Sequence, residues 1–234
     1  MKLHLLLALA IVAFAPTFAL AQTSGSEEDI QFRSVDFGSQ VLELHNFGTS
    51  TQALDGWRFC THDVSDGFDY TSSGGLNGFS LAAGESLSIH WNDDATGPGA
   101  INISSLGGNW IDDLTVNGTG DGISLNLYRD SSFGSANSIV DHLQYSYDGA
   151  NVGGSSNPRG NVAVNGGLWT NTADWVAVSG ESTGLVLTDD PFPGATGGTH
   201  SDSSYAVTTA VPEPSAFLML SLGAVGFVAR RRRS

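Results

Sequence analysis

The amino-acid sequence predicts an all-β protein in which two sheets pack as a β-sandwich. Glycine is abundant, with 30 in 234 residues. Between residues 22 and 210 no long stretch repeats apolar residues at the 3.6-residue period of a helix. Short runs alternate apolar and polar side chains instead, which is the period of a strand with one buried face. Such strands need a second sheet to cover their apolar sides, and a sandwich supplies it.

Four runs carry this alternation, and turn signals separate them. The runs lie at 41–46, 87–91, 123–127 and 143–147. Pairs such as Asp55-Gly56 and Asp121-Gly122 are typical turn residues. We therefore expect half-buried strands in an antiparallel sheet, with one polar face toward solvent.

After residue 149 the alternation loosens. Trp169, Trp175 and the run 176–178 predict one or two further edge strands, and the glycine- and serine-rich stretches around them predict loops. We expect one sandwich domain with an elaborated C-terminal part over residues 22–205, and a linker over residues 206–214.

The first 21 residues have the pattern of a secretory signal peptide. Lys2 supplies the positive charge, an apolar stretch follows, and Ala19 and Ala21 form a small-x-small cleavage site before Gln22. Pro16 interrupts the apolar stretch, which argues against a permanent spanning helix. We expect cleavage after Ala21, so that the mature chain begins at Gln22.

Residues 215–234 predict a membrane segment that ends in a basic stop. The apolar run 216–229 would form a helix about 21 Å long, shorter than the roughly 30 Å hydrocarbon core. Arginines after such a run stay on the cytoplasmic side of the membrane. We therefore predict a single transmembrane sorting helix that is a weak permanent anchor. The triplet before this run and the arginines after it are Pro212, Glu213, Pro214, Arg230, Arg231, Arg232 and Arg233.

These three parts in this order resemble the PEP-CTERM sorting signal, over about residues 211–233. The resemblance implies recognition by an exosortase, a membrane transpeptidase-like cysteine enzyme, with processing near the Pro-Glu-Pro triplet. It also implies a Gram-negative host that makes extracellular polysaccharide. The expected path is export, transient membrane anchoring, and delivery to the cell surface or extracellular matrix.

The charge of the body excludes one class of partner. Without residues 1–21 and 215–234, the basic residues that remain are Arg33, Arg58, Arg129 and Arg159, against 24 acidic residues. The net charge of this body is near −20, and such a field repels nucleic acid. Cys60 is the only cysteine, so no disulfide can form within the chain. The core must supply the stability.

A second resemblance lies in the order of the predicted strands between about residues 30 and 147. The pieces are a glutamate-x-x-Asn strand, a Leu-x-Gly-Trp strand, a Leu-x-x-Gly turn before a strand, and a glycine-led strand followed by a Val-Asp pair. Their residues are Glu43, Asn46, Leu54, Gly56, Trp57, Gly84, Gly122, Val140 and Asp141. In this order they resemble the lamin-tail domain.

The lamin-tail resemblance implies an immunoglobulin-like sandwich and, among bacterial members, a surface or extracellular adaptor. Insertions around 61–79 and 92–116 depart from the family pattern. Independently of the resemblance, Trp57 shares its strand face with Phe59, which predicts an indole packed in the core.

One catalytic motif occurs by its letters alone. Residues 180–184 read Gly-Glu-Ser-Thr-Gly, which matches the nucleophile pattern Gly-x-Ser-x-Gly. That pattern requires a strand feeding a helix, whereas the residues after it predict a strand and a turn. We therefore predict no catalytic residues and no enzyme activity.

Metal ligands are the remaining candidates. His45, His90 and His142 fall on polar strand faces, where isolated surface histidines are the favoured interpretation. The acid pairs at 93–94, 112–113 and 189–190 can supply oxygens to calcium, but they lack the alternating Asp-x-Asp-x-Asp-Gly spacing. Calcium is the one cofactor left open, and no other cofactor is expected.

Two classes of function fit these observations. The first is a non-catalytic surface or matrix protein that interacts with extracellular polysaccharide or with other surface proteins. The alternative is a carbohydrate-binding module or a carbohydrate-active enzyme, since five tryptophans allow stacking on sugars and paired carboxylates can come from distant strands. The absence of a motif in its required context favours the first.

Overall fold

The computed structural model describes residues 29–64, 70–152, 158–188 and 199–209. This part of the chain is mainly β, as predicted, with one short α-helix, α1, at Pro158–Asn165. The strands are β1 Ile30–Asp36, β2 Val41–Asn46, β3 Gln52–Ala53, β4 Arg58–Asp63, β5 Tyr70–Ser72, β6 Ser80–Leu81, β7 Ser86–His90, β8 Ala100–Asn102, β9 Gly122–Tyr128, β10 Ile139–Tyr147, β11 Val176–Val178, β12 Ser182–Leu187 and β13 Tyr205–Thr209.

The strands form two large sheets and a two-stranded ribbon. The six-stranded sheet has the order β13-β12-β1-β2-β7-β8, the five-stranded sheet has the order β11-β10-β9-β4-β5, and β3 pairs with β6. The pairs β7–β8 and β10–β11 are parallel, while the other neighbours are antiparallel. The predicted antiparallel arrangement therefore holds except at one edge of each large sheet.

Aromatic side chains join the two sheets across the core. The ring of Phe32 in β1 stacks on that of Phe59 in β4, with centroids 6.5 Å apart. Phe59 also contacts the edge of Trp91, and Phe37 packs against Tyr145. These side chains are buried, so a hydrophobic core lies between the sheets, as a sandwich requires.

The polar face of the five-stranded sheet is buried, which corrects the expectation of a solvated face. Ser124, Asn126, His142 and Gln144 are all 0% exposed. The chain from α1 to β11 lies over them. The helix α1 packs on β9 and β10. The rings of Trp169 and His142 meet edge to face, with their centroids 5.1 Å apart. Alternation shows which side chains share a face, but it does not show whether a later segment covers that face.

The helix α1 was not predicted from the sequence. Proline stands at its first residue, Pro158, where the missing N–H leaves no helical hydrogen bond unmade. Val162 and Ala163 are buried against the sheet, and Gly167 follows the helix with φ +75°. The helix is eight residues long, and most of it is too polar for a periodic apolar pattern to reveal it.

Asn46, the last residue of β2, makes hydrogen bonds to two separate segments of the chain. Its side-chain amide donates to the carbonyls of Ser50 and Leu81, both at 2.8 Å, and its Oδ1 accepts the Gly48 N–H. Its backbone carbonyl accepts the N–H of Gly84, which has φ +75°. This buried residue thus holds the loop after β2 to the turn before β7.

The other residues of the sequence pattern that contains Asn46 take separate positions in the fold. Leu54 and Trp57 are buried in the core, as predicted for Trp57, and Gly56 has φ +83°, a conformation that favours glycine. Glu43 lies on the outer face of the six-stranded sheet, where its carboxylate accepts hydrogen bonds from Arg33 at 3.3 Å and Ser34 at 2.9 Å. Its contacts therefore lie across the β1–β2 pair.

The C-terminal part of the body contains more strands than the sequence predicted. Of the expected edge strands, β11 is present, whereas Trp169 lies outside the strands and only bridges to His200. β12 enters the six-stranded sheet beside β1, and β13 pairs with β12. The expected linker from residue 206 is therefore wrong at its start, because the strand continues to Thr209.

Candidate functional site

The candidate site is the edge of the six-stranded sheet at β13, the last strand that the structure describes. β13 pairs antiparallel with β12 along its whole length, from Tyr205 opposite Leu187 to Thr209 opposite Ser182. The register shifts once, between Ser182 and Gly184, which is a β-bulge. The last residue that the structure describes is therefore still part of the sheet.

Buried groups fix the start of β13. The Tyr205 hydroxyl donates to the carbonyl of Phe32 in β1 at 3.1 Å, so it reaches past β12. Ser201 and Ser204 form a capping box around the short 3-10 helix Asp202–Ser204 that leads into the strand. The N–H of Thr188 donates to the Ser204 carbonyl at 2.9 Å, which holds this helix to the end of β12.

A glycine allows β12 to lie close to both of its neighbours. A Cβ on Gly184 would fall against the Val35 carbonyl oxygen of β1 and meet the Thr208 hydroxyl of β13. Near it, the hydroxyls of Thr183 and Thr208 are 3.0 Å apart. Contacts at both of its ends thus hold β13 in the sheet.

The residues after β13 carry a recognised sorting motif. The PEP-CTERM protein-sorting motif is matched at residues 210–233, so it begins directly after Thr209. The chain carries a PEP-CTERM sorting signal. This signal indicates export and sorting by an exosortase system, with transient membrane anchoring through the C-terminus. A search among curated proteins found no match to the chain.

The PEP-CTERM match includes every residue of the predicted sorting motif. These residues lie outside the described part of the structure, as do the predicted signal-cleavage residues Ala19, Ala21 and Gln22. Within the residues that the structure does describe, no helix is long and apolar enough to cross a membrane.

The three candidate histidines are not brought together. His45 and His90 lie on the outer face of the six-stranded sheet, where His45 contacts the Ser86 hydroxyl at 2.8 Å and His90 contacts Asp94 at 2.6 Å. His142 lies in the five-stranded sheet and is fully buried, so its interpretation as a surface histidine is wrong.

Two side-chain amides flank the His142 ring. Its Nδ1 lies 2.6 Å from Asn126 Oδ1, and its Nε2 lies 3.1 Å from Gln144 Oε1. The Gln144 NH₂ donates to the carbonyls of Thr172 and Asp174, so Gln144 itself ties the covering loop to β10. Burial lowers the pKa of His142 to about 4, while the Gln144 contact acts in the opposite direction.

The other candidates for chemistry are accounted for by structure. Among residues 29–64, 70–152, 158–188 and 199–209, no group of three or more His, Cys, Asp or Glu side chains is placed to hold a metal ion. Ser182 of the Gly-x-Ser-x-Gly sequence begins strand β12 after a turn, and its hydroxyl accepts the Ser179 N–H at 2.9 Å. Cys60 is buried, and burial raises the pKa of its thiol.

The tryptophans bear on the carbohydrate alternative. Trp57, Trp91, Trp169 and Trp175 are buried, each no more than 6% exposed. Trp110, on the loop between the short 3-10 helix at 103–106 and β9, is partly exposed. It is the most exposed of the five tryptophans, and an indole must be accessible to stack on a sugar.

Sequence reasoning missed the role of Asp141. This aspartate of β10 is 1% exposed, and its two oxygens accept the N–H groups of Phe32 at 2.6 Å and His142 at 2.8 Å. Burial raises the pKa of Asp141 to about 7, although both backbone donors act to lower it. The signal was an acidic residue directly after two apolar ones in a strand.

Proposed function

We propose that this chain is an exported, non-catalytic surface or extracellular-matrix protein, whose body is presented outside the cell after processing by an exosortase-type enzyme. The observation that carries the proposal is the sorting motif placed directly after the last strand of a folded β body. The body is connected to its anchor by the edge of its sheet. The proposed host is Gram-negative, and the proposed surroundings are extracellular polysaccharide and other surface proteins.

We further propose that the body is a lamin-tail-like, immunoglobulin-like sandwich. Support comes from Asn46, Gly84 and Asp141, three residues of the resemblance. Each of them occupies a position with a physical requirement: a buried amide, a left-handed turn and a buried carboxylate. Fold alone confers no activity, so a scaffold of this kind is compatible with an interaction protein.

Fractionation of cells that express the full chain tests the sorting proposal. In a host with its exosortase-type enzyme, we expect the body in the surface or matrix fraction, without the arginine tail. In a strain that lacks the enzyme, we expect the tail-bearing form to stay in the membrane fraction. Replacement of Arg230–Arg233 by alanine is expected to reduce retention, since no charge then halts transfer. Equal distribution in both strains would contradict the proposal.

The carbohydrate alternative is favoured by one observation, the partly exposed Trp110. Co-sedimentation of the processed protein with the host's exopolysaccharide, with and without calcium, tests it. Binding that is lost in Trp110→Ala and kept in Trp110→Phe would support a binding module. Release of new reducing ends from the polysaccharide would instead show a hydrolase and overturn the non-catalytic proposal.

A further inference from the structure

We propose that Asn117 is a site of spontaneous covalent modification, where the side-chain amide is lost and an aspartate or isoaspartate remains in the loop before β9. The chain contains three Asn-Gly pairs, at 77–78, 117–118 and 165–166. Glycine has no side chain to shield its backbone nitrogen, so each pair can react once the chain is unfolded. In the folded protein, within the residues that the structure describes, the pair at 117–118 is the one whose reacting groups are both free of hydrogen bonds.

The reaction joins two neighbouring groups of the chain. The backbone nitrogen of Gly118, once it has lost its proton to hydroxide, attacks the side-chain carbonyl carbon of Asn117, and a C–N bond forms. The bond from that carbon to the side-chain nitrogen breaks, and the nitrogen takes a proton from water and leaves as ammonia. Water then opens the resulting succinimide ring at either carbonyl, which gives aspartate or isoaspartate.

Hydrogen bonds block this attack at the other two Asn-Gly pairs. The Gly78 N–H donates to Asp55 Oδ1 at 2.7 Å, and the side-chain oxygen of Asn77 accepts another backbone N–H at 2.9 Å. The Gly166 N–H donates to the Val162 carbonyl at 2.9 Å, at the end of α1. A nitrogen whose proton is held in a hydrogen bond gives up that proton less readily. These two pairs therefore react only when the fold opens locally.

The pair at Asn117 and Gly118 is exposed and unhindered. Within the described part of the chain, neither the Asn117 side-chain amide nor the Gly118 N–H has a hydrogen-bond partner. A Cβ built on Gly118 would meet no atom within 4 Å beyond its chain neighbours, so the space beside the attacking nitrogen is open. Asp121 holds the loop in this arrangement, because its Oδ2 accepts the Asn117 N–H at 2.7 Å and its N–H donates to the Gly118 carbonyl at 3.1 Å.

The product changes both the charge and the backbone path of this loop. Each conversion replaces a neutral amide by a carboxylate and so adds negative charge to a body that is already acidic. The isoaspartate form also routes the backbone through the former side chain, which lengthens the chain just before β9. The protein therefore accumulates a more acidic form with time, at a rate that the local structure sets.

Peptide mapping of the full chain after prolonged incubation in mildly alkaline buffer tests the assignment. In the native protein we expect the mass gain of an NH₂ group replaced by OH at Asn117, at least about tenfold faster than at Asn77 or Asn165, because those pairs must open first. Digestion at acidic pH prevents further reaction during preparation, and electron-based fragmentation separates isoaspartate from aspartate. In guanidinium chloride the three rates are expected to come within about threefold of one another.

Three results would overturn the proposal. The first is an Asn117 that stays intact in the native protein, and the second is a native rate at Asn77 or Asn165 equal to that at Asn117. The third is the same spread of rates in the denatured chain, since the fold would then not be the cause.

Gly118→Ala is the matched variant, because it changes the reacting pair without a clash in the fold. The added methyl group points into open space and φ of Gly118 is not positive, so the melting temperature is expected to stay within about 2 °C of the natural chain. The same methyl group crowds the attacking nitrogen, and we expect the rate at Asn117 to fall at least about tenfold. An unchanged rate in this variant would contradict the attack by the Gly118 nitrogen.

Discussion

The carboxylate of Asp141 in β10 accepts the backbone N–H of Phe32 in β1 at 2.6 Å, so one buried side chain joins the two sheets. Both strands are irregular at this point, with register shifts between Phe32 and Ser34 and between Ile139 and Asp141. A bulge takes a backbone group out of the ladder, and that group then needs another partner. Asp141 provides it across the sandwich.

Replacement of Asp141 by asparagine is expected to destabilise the body by about 2–4 kcal/mol. Asparagine keeps one acceptor oxygen but turns an NH₂ group toward the other backbone donor, which leaves a buried N–H without an acceptor. Denaturant unfolding of the two proteins measures the difference. Asp148→Asn, at an exposed turn with φ +57°, is the matched control and is expected to change stability by less than about 0.5 kcal/mol. Equal stability of Asp141→Asn and the natural chain would contradict the role assigned to the carboxylate.

The two adjacent buried groups give opposite pH dependences. Asp141 has its pKa raised to about 7, so its contribution to stability is present at acid pH and is lost as pH rises from about 4 to about 7. His142 has its pKa lowered to about 4, so its contribution is present above about pH 6.5 and is lost as pH falls to about 4. Between about pH 4 and 6.5 the two slopes oppose each other.

Removal of either group should reveal the slope of the other. In His142→Gln, we expect the difference in stability from the natural chain to become more unfavourable as pH rises from about 4 to 6.5, by about 3 kcal/mol. In Asp141→Asn, we expect the opposite slope over the same interval. Unfolding free energies at half-unit pH steps measure both. Parallel profiles for all three proteins would show that these groups do not titrate as stated.

Asn46→Ala is expected to destabilise the body by about 2–4 kcal/mol, because the buried carbonyl of Leu81 and the carbonyl of Ser50 both lose their donor. Asn117→Ala, at an exposed loop position, serves as the control. Hydrogen exchange should locate the effect at residues 47–50 and 81–85. A uniform loss of protection, with no added effect at these two segments, would contradict the assigned role.

Gly184→Ala is expected to cost at least about 2 kcal/mol, since the added methyl group collides with the backbone of β1. Gly180→Ala, four residues earlier, adds a methyl group in open space and is expected to be nearly neutral. Thermal unfolding compares them. Similar melting temperatures for the two variants would mean that β12 can move away from β1 without loss.

The sequence predicted the strands that bury one face better than those that bury both. Val41–Asn46 alternates in sequence and in burial, because its outer face meets solvent. Gly122–Tyr128 alternates in sequence, yet every residue is buried, because α1 and the loop at 168–175 cover it. That cover comes from a segment whose own sequence has no regular period, so its docking could not be read from pattern alone.

Only one half of the candidate site, the sorting motif, was predicted from the sequence. The triplet and the arginines are local signals, and they were found from the sequence. The pairing of β13 depends on Gly184 and Tyr205, whose contacts lie across the sheet on β1, about 150 to 175 residues away in the chain. A linker was therefore expected where the sheet continues, because small and hydroxylated residues such as Thr208 and Thr209 fit both environments.

The burial of four of the five tryptophans has a practical consequence for spectroscopy. Indoles in an apolar core emit at shorter wavelength than indoles in water, so the native protein should fluoresce with a blue-shifted maximum that moves to the red on unfolding. A neutral quencher such as acrylamide should reach Trp110 well before Trp57, Trp91, Trp169 and Trp175. The unlabelled chain therefore carries two optical reporters, one for the integrity of the core and one for the loop that precedes β9.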